Sequence, residues 1–382
     1  MKKRYEDNDF FEKDPDFAAL AKIDIFKKYF GIYFKLIDSI RNNPKNNLQN
    51  RNIKYIDLFS GPGEFSTNGE KKQSTPLIVL ENIYKKGYKN ISFYFNDKDD
   101  KSISKLKTKI SNLYGNMFDC YFQSIDARNV KLDSIISSKE DIVISLIDSF
   151  SYLCLDKDTI NKLTENQYSD VVCYFRVSNI LEHIGNQSEK NNHIEILGGI
   201  ENYNTLYTMC KSNASQIKKI NFLIKSWINN LNSVGCEKFF LPVFINFSGE
   251  NTKIESVVFM ISKNKLGLTK VLSMITNVEN YDGRLFSYID ANINRTTIFD
   301  YETEFIENVI NENDGYIDRN ELIDRLNNRF IKEYGYISAY TEKFINNKLK
   351  ILEENCMMDI IYSGNTKRKK YTYSDKTKFK LR

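Results

Sequence analysis

Apolar residues recur at three- and four-residue steps over Phe17, Leu20, Ile23, Phe26, Phe30, Phe34 and Ile37, which predicts a helix over 17–41. The stretch from Arg41 to Arg51 breaks the pattern with Pro44 and five asparagines and reads as a linker. Beyond it the periodicity alternates. Short apolar runs predict strands at 53–59, 91–95, 119–123, 142–147 and 170–176. Helical patterns predict helices at 76–86, 98–113, 200–210 and 216–231, and a late pair of strands falls at 238–247 and 256–262. Strands alternating with helices imply a parallel sheet covered on both faces.

The tail has a different order. Helices are predicted at 302–312, from Asp318 as an N-cap, and at 341–355. A hairpin is predicted from 357–362 and the basic run Lys367-Arg368-Lys369-Lys370-Tyr371-Thr372-Tyr373. The expected architecture is therefore α/β: a Rossmann-like sheet with helices on both faces, plus a C-terminal winged-helix-like α+β module. The expected boundaries are a helical segment over 1–50, the α/β domain over 51–270 with a helical insertion near 180–215, and the last module over 298–382.

Composition narrows the function classes. Fifty aromatic Tyr and Phe side chains (24 and 26) in 382 residues suit a packed core and not a disordered chain. The net charge of +5 is too mild to imply a nucleic-acid partner by itself. Six cysteines fall at 120, 154, 173, 210, 236 and 356 with no Cys-x-x-Cys spacing, so a zinc ribbon or iron–sulfur site is not expected. His183 and His193 are the two histidines and have no ligand-like neighbours in the sequence, so no metal is expected. The charged start of the chain has no apolar signal-peptide region, and no run is long enough to span a bilayer. Unpaired cysteines fit a reducing cytoplasm.

The candidate chemistry lies at the C-terminal ends of the predicted strands, where open α/β sheets bind ligands. The first strand runs into Asp57-Leu58-Phe59-Ser60-Gly61-Pro62-Gly63. Gly61 and Gly63 permit a tight turn and close approach of backbone to a ligand. A dinucleotide loop would have Gly or Ala where Ser66 stands, and Glu64 would repel a pyrophosphate. The loop therefore suits S-adenosylmethionine, with Asp57 receiving its ammonium. Asp97 closes the second strand and suits the ribose hydroxyls. Asp126, followed by Ala127, closes the third and suits the adenine amine. Asp148 closes the fourth, beside the reacting methyl, and is the catalytic candidate. Asp57 and Asp148 also read as turn residues, and Asp97 as a helix cap.

Here the chain resembles the three-Cys-motif partner protein (TcmP) family of class I methyltransferases. Tyr55-Ile56-Asp57-Leu58-Phe59-Ser60-Gly61-Pro62-Gly63 is the nearest stretch. Ala21-Lys22-Ile23 through Tyr29 is similar to that family's N-terminal Lys-His helix, with Ile23 in the place of His. Ser74-Thr75-Pro76 resembles its Gly-Ser-Pro helix start. Leu146-Ile147-Asp148-Ser149-Phe150 stands where the family carries Asp-Pro-aromatic-Gly; this chain has neither the Pro nor the Gly. The resemblance implies a partner protein of the three-Cys-motif type and a setting in a modification or bacterial defence system.

The acceptor is left open between classes. Cytosine-C5 enzymes need a Pro-Cys nucleophile after the fourth strand, where this chain has Asp148-Ser149, and Cys154 reads as a core residue. Amino-methyltransferases place an acid and aromatics there, which Asp148, Phe150 and Tyr152 partly reproduce. Asp148 would orient or deprotonate an amine or hydroxyl. The basic wing would contact phosphates without reading sequence; a solvated Lys-rich tail is the plainer reading. Arg176 and His183 border the substrate side after the fifth strand, with no assigned role. The expectation is a methyltransferase acting on nucleic acid; the alternative is a catalytically silent S-adenosylmethionine-binding partner protein.

Overall fold

A computed structural model describes residues 17–43, 48, 51–149, 151–232, 237–247, 253–265, 267–268, 271, 287–288, 301–313, 315–337, 342–364, 367–373 and 377–382. Helix α1 (Phe17–Arg41) buries Ala21, Ile25, Phe26, Tyr29, Phe30, Tyr33, Phe34 and Ile37. That face is rotated from the predicted stripe: Leu20 is 41% exposed and Ile23 only half-buried. The reason is the two tyrosines. Tyr29 and Tyr33 stack on each other, and the Tyr29 hydroxyl reaches Asp170 Oδ2 at 3.5 Å, so phenol rings fill core positions that a count without tyrosine overlooks.

The chain then enters β1 (Ile53–Asp57), whose five residues are all buried. A hairpin follows, β2 (Glu64–Thr67) and β3 (Glu70–Gln73), turned by Asn68 and Gly69 at φ 50° and 77°. Positive φ at both central residues is the two-residue turn that matches strand twist, and Asn-Gly supplies it. Helix α2 (Thr75–Lys86) begins with Pro76 in its first turn and ends on Gly87 in the left-handed conformation. Strand β4 (Ile91–Asn96), helix α3 (Asp100–Tyr114) capped by Asp99, and β5 (Asp119–Gln123) complete one half of the sheet.

The connection to β6 (Ile142–Ile147) holds a short 3-10 turn (Ala127–Asn129) and the single-turn α4 (Leu132–Ile135). So short a helix leaves part of the sheet face bare, and a cavity of about 440 Å³ opens there over Ile56, Tyr94, Tyr121 and Ile135. After α5 (Lys157–Leu163) and β7 (Ser169–Phe175), helices α6 (Val177–His183), α7 (Lys190–Leu197) and α8 (Ile200–Lys211) fill the stretch before α9 (Gln216–Asn232). Trp227 of α9 is fully buried between Phe175 and Phe259 and donates to the Leu155 carbonyl at 3.0 Å. Strands β8 (Phe239–Phe247), β9 (Lys253–Ser262) and the short β10 (Ser287–Tyr288) finish the sheet.

The strand order is β10-β8-β9-β7-β6-β1-β4-β5. Strand β9 runs antiparallel to both its neighbours; the other pairings described within this sheet are parallel. The chain builds outward from β1 to β4 and β5, then crosses back to lay β6 on the other side of β1. The crevice beyond the C-terminal ends of β1 and β6 is therefore the topological switch point, where sheets of this type bind ligands. All six residues of β6 are buried, as a central parallel strand requires.

The last segment has its own small sheet. It runs α10 (Tyr301–Asn311), β11 (Ile317–Asp318), α11 (Arg319–Tyr334), α12 (Glu342–Glu354), β12 (Met358–Tyr362) and β13 (Thr377–Leu381), with strand order β11-β13-β12. Asp318 caps α11 as expected, accepting the Glu321 N–H at 2.9 Å. The predicted second hairpin strand at 367–373 is not a strand; β12 pairs instead with Thr377–Leu381. Tyr371 adopts φ 63°, and Arg368 and Tyr373 both turn back to Glu353 at 2.6 Å. Those contacts hold the basic run as a loop beside α12. The segment docks on the main sheet through the Ile337 N–H, which donates to the Phe240 carbonyl at 3.0 Å.

Candidate cofactor pocket at the switch point

Strand β1 delivers Asp57 to the crevice, and the following loop is tied down residue by residue. Asp57 Oδ1 accepts the Phe59 N–H at 3.1 Å, and the Ser60 hydroxyl donates to the Asp57 carbonyl at 3.1 Å. The Leu58 N–H crosses to the Leu146 carbonyl of β6 at 3.1 Å, and the Ser60 N–H to the Asn96 carbonyl of β4 at 2.9 Å. Gly61, Pro62 and Gly63 are buried. Gly61 and Gly63 have φ 61° and 85°, a region costly for residues with a Cβ. A Cβ on Gly63 would also lie 2.8 Å from the Leu106 side chain, so this glycine lets the loop pack on α3.

Asp97 sits just past β4 and binds the loop directly. Its Oδ2 accepts the Gly61 N–H at 2.9 Å and its Oδ1 the Asp99 N–H at 3.0 Å. A carboxylate has about four acceptor sites, so lone pairs remain for a ribose. The residue before it, Asn96, is a buried latch overlooked in the sequence. Its amide donates to the carbonyls of Leu58 at 3.2 Å and Ile125 at 3.1 Å, joining the ends of three loops. Asp126 is differently placed. Its two oxygens hold Arg128 in a fork at 3.0 and 2.9 Å, which brings its pKa down to about 2. An adenine amine at Asp126 would compete with that fork; Ala127 begins the turn beside it.

Asp148 follows β6 and is not alone. Lys22 of α1 reaches its Oδ1 at 2.7 Å, with side-chain exposures of 9% and 17%. The same ammonium lies 4.9 Å from the centre of the Tyr174 ring. Lys22 lies on the buried face of α1, one turn before Phe26; a cation in an apolar stripe was the available sequence signal. Electrostatics link the acids. Burial first, then Asp148 and Asp97, push Asp57 up to about 8, against the Phe59 N–H, which pulls it down. Tyr55, 3.4 Å from Asp57 Oδ2, is raised by burial and by Asp57 and Asp148. Asp97 is raised by burial as well. Asp57, Asp97 and Asp148 thus act on one space, with Lys22 at its edge.

Other expectations resolve differently. Glu64 lies in β2 and pairs with Lys109 of α3 at 2.5 Å, so it is not an uncompensated charge facing a phosphate. Tyr152 is a core residue: it packs against His193 and donates to Glu189 at 3.1 Å. Phe150 lies outside the described residues. Cys154 is buried and its thiol is pushed up to about 11 by that burial, so it is no nucleophile at neutral pH. His183 Nδ1 sits 2.9 Å from the Asn179 carbonyl one turn back, and Arg176 starts α6 directly after β7. Among the described residues no group of three or more His, Cys, Asp or Glu is placed to hold a metal. Among them too, no helix is long and apolar enough to cross a membrane.

No protein-family model and no curated protein matches the chain. Solved structures do. Protein LPL1258 from Legionella pneumophila is 7% identical over 69% of this chain and 92% of its own, with a TM-score of 0.41. An S-adenosylmethionine-dependent methyltransferase from Agrobacterium tumefaciens is 10% identical over 61% of each chain, at 0.31. The plantazolicin methyltransferase BpumL, solved with S-adenosylhomocysteine, is 11% identical over 64% and 85%, at 0.32. Scores this low carry no argument about activity. The strand order and the antiparallel β9 define the sheet by themselves. It is a Rossmann-like α/β sheet.

Proposed function

We propose that the chain is an S-adenosylmethionine-dependent methyltransferase whose cofactor lies over Asp57–Gly63, with an amine or hydroxyl acceptor on nucleic acid. The observation that supports this most is the meeting of Asp57 and Asp148 at the switch point, on the strands that flank it. An acid whose pKa is raised first by burial and then by acidic neighbours gains from a cation placed beside it. A ligand carrying an ammonium and a sulfonium supplies that cation; a pyrophosphate would add to the repulsion. Asp57 would take the ammonium, Asp97 the ribose hydroxyls, and the Gly61–Gly63 turn the close approach. Bound there, S-adenosylmethionine supplies an electrophilic methyl on sulfur. With Lys22 at 2.7 Å, Asp148 is better suited to orienting than to deprotonating, holding an amine or hydroxyl toward that methyl. Cys154, buried and protonated, takes no covalent part.

The nucleic-acid acceptor rests on the C-terminal module. Its order of helix, strand, two helices and two strands is that of a winged helix, and the loop before β13 carries exposed Lys367, Lys369 and Lys370. Arg368 is withdrawn, paired with Glu353 at 2.6 Å. Such a loop would touch phosphates and position the duplex or strand.

One observation favours a second reading. The Lys22–Asp148 pair neutralises the candidate catalytic acid, and the prolines that usually shape its loop are missing. A silent S-adenosylmethionine-binding partner, acting with a three-Cys-motif protein in a modification or defence system, would carry the same pocket. Incubation with methyl-labelled S-adenosylmethionine and total RNA, DNA or protein separates the readings. Label in RNA or DNA supports the first; cofactor binding with no label in any fraction supports the second.

A further inference from the structure

The region around Asp148 contains a charge arrangement that a cofactor loop alone does not require. Lys22 comes from α1, far from the loop in sequence, and puts its ammonium 2.7 Å from Asp148 in a nearly closed environment. Tyr174 gives the same ammonium an aromatic face at 4.9 Å. A lysine of this kind loses most of its hydration and is held there by its partner. Asp57, on the neighbouring strand, feels Asp148 as a repulsive neighbour. The pocket therefore holds three carboxylates, Asp57, Asp97 and Asp148, and one resident cation.

We propose that Lys22 is a built-in counter-cation, a positioning residue that sets how strongly the pocket prefers the sulfonium cofactor over its thioether product. The idea rests on the cofactor assignment above and deepens it. S-Adenosylmethionine carries one positive charge more than S-adenosylhomocysteine, and that charge is on the sulfur. With Lys22 on Asp148, the charge of that carboxylate is already compensated and attracts the sulfonium weakly. Without Lys22 the full charge of Asp148 acts on the sulfonium and the product gains nothing from it. Lys22 thus narrows the gap between the ligands that must enter and leave. It also leaves the sulfonium less stabilised before transfer, which favours reaction over tight binding.

The test is calorimetric titration of the full chain with each ligand separately, in the wild type and in Lys22→Met, Lys22→Gln and Lys22→Arg. The quantity read is the ratio of the two dissociation constants, product over cofactor. Lys22→Met should raise that ratio about tenfold, the effect of a unit charge at partly buried range. Lys22→Gln keeps a donor for Asp148 without the charge and should raise it similarly, which covers the case in which the Met variant does not fold. Lys22→Arg keeps the charge and should stay within about twofold of the wild type. A merely structural lysine would weaken both ligands together and leave the ratio unmoved. An unmoved ratio in Lys22→Gln, with both ligands still bound by the wild type, overturns this proposal and spares the cofactor assignment. Failure of the wild type to bind either ligand overturns both.

Discussion

The Gly61 N–H points at Asp97 Oδ2 from 2.9 Å, so the glycine turn after β1 is fixed by an acid from the neighbouring strand. The bond makes Asp97 hold the loop; under the proposed function its remaining lone pairs would also take the ribose hydroxyls. Asp97→Ala leaves a buried N–H without its acceptor, at a cost of about 1–3 kcal/mol. It should lower S-adenosylmethionine affinity by at least about tenfold and the melting temperature by a few degrees. Asp97→Asn retains an acceptor for Gly61 and should recover most of the melting temperature and less of the affinity. Calorimetric titration and thermal melts read the two effects separately.

Asp57 makes the ligand-free protein less stable. Its pKa of about 8 in the fold stands against 3.8 for the free side chain. Below pH 3.8 the group is protonated in both states and costs nothing. As pH rises toward 8 the unfolded chain releases the proton while the fold retains it, so stability falls across that window. Asp170, raised to about 6 by burial, adds to the same trend at its lower end. Asp57→Asn should therefore raise the melting temperature at pH 7 by several degrees, flatten its pH dependence between about 4 and 8, and lose the cofactor. A lower melting temperature for this variant at pH 7 would contradict the burial argument.

The same carboxyl should report the ligand's charge. At pH 7 most Asp57 is protonated in the free pocket, and an ammonium beside it favours the ionised form. Binding of S-adenosylmethionine should release close to one proton per site at pH 7; at pH 9 Asp57 is already ionised and the free ligand's amine largely neutral, so binding as the ammonium should instead take up close to one proton. Its own amino group, with a pKa of about 8, changes little at the lower pH. Titrations in buffers of different ionisation heat measure this; equal apparent heats in all buffers at pH 7 would oppose the assignment.

Much of the main sheet was readable because its strands are continuous apolar runs. Ile142–Ile147 was predicted and observed with the same ends, as was Asp119–Gln123. The β2–β3 hairpin was overlooked although Asn68-Gly69 is a strong turn signal, since the strands it joins are polar: Glu64, Glu70, Lys71 and Lys72 give no apolar alternation. The basic run at 367–373 differed for another reason. Tyr and Thr between lysines read as strand, but the Glu353 contacts of Arg368 and Tyr373 decide the matter, and these cross from α12. At the site, strand-end acids could be read from order alone. Long-range partners could not: Lys22 on Asp148 and Asn96 between two loops depend on which helix face and which loops meet.

On the proposed function, the exposed lysines of the basic loop should act as phosphate contacts. Replacing Lys367, Lys369 and Lys370 together by Glu should weaken RNA or DNA binding at least about tenfold at moderate salt. It should also flatten the dependence of log affinity on log salt, by about 0.7–0.9 for each phosphate no longer neutralised. The fold should be unaffected, because Arg368 and Tyr373 make the packing contacts of this loop. Binding assays across a salt series, with cofactor affinity as the control, check it.

The most direct measurement is calorimetric titration of the whole chain with S-adenosylmethionine, run beside Asp57→Ala. The wild type should bind one equivalent, and the variant, still folded by its thermal melt, should show no binding. A folded wild type that takes up no ligand, or an Asp57→Ala variant with unchanged affinity, would contradict the pocket at the ends of β1 and β6.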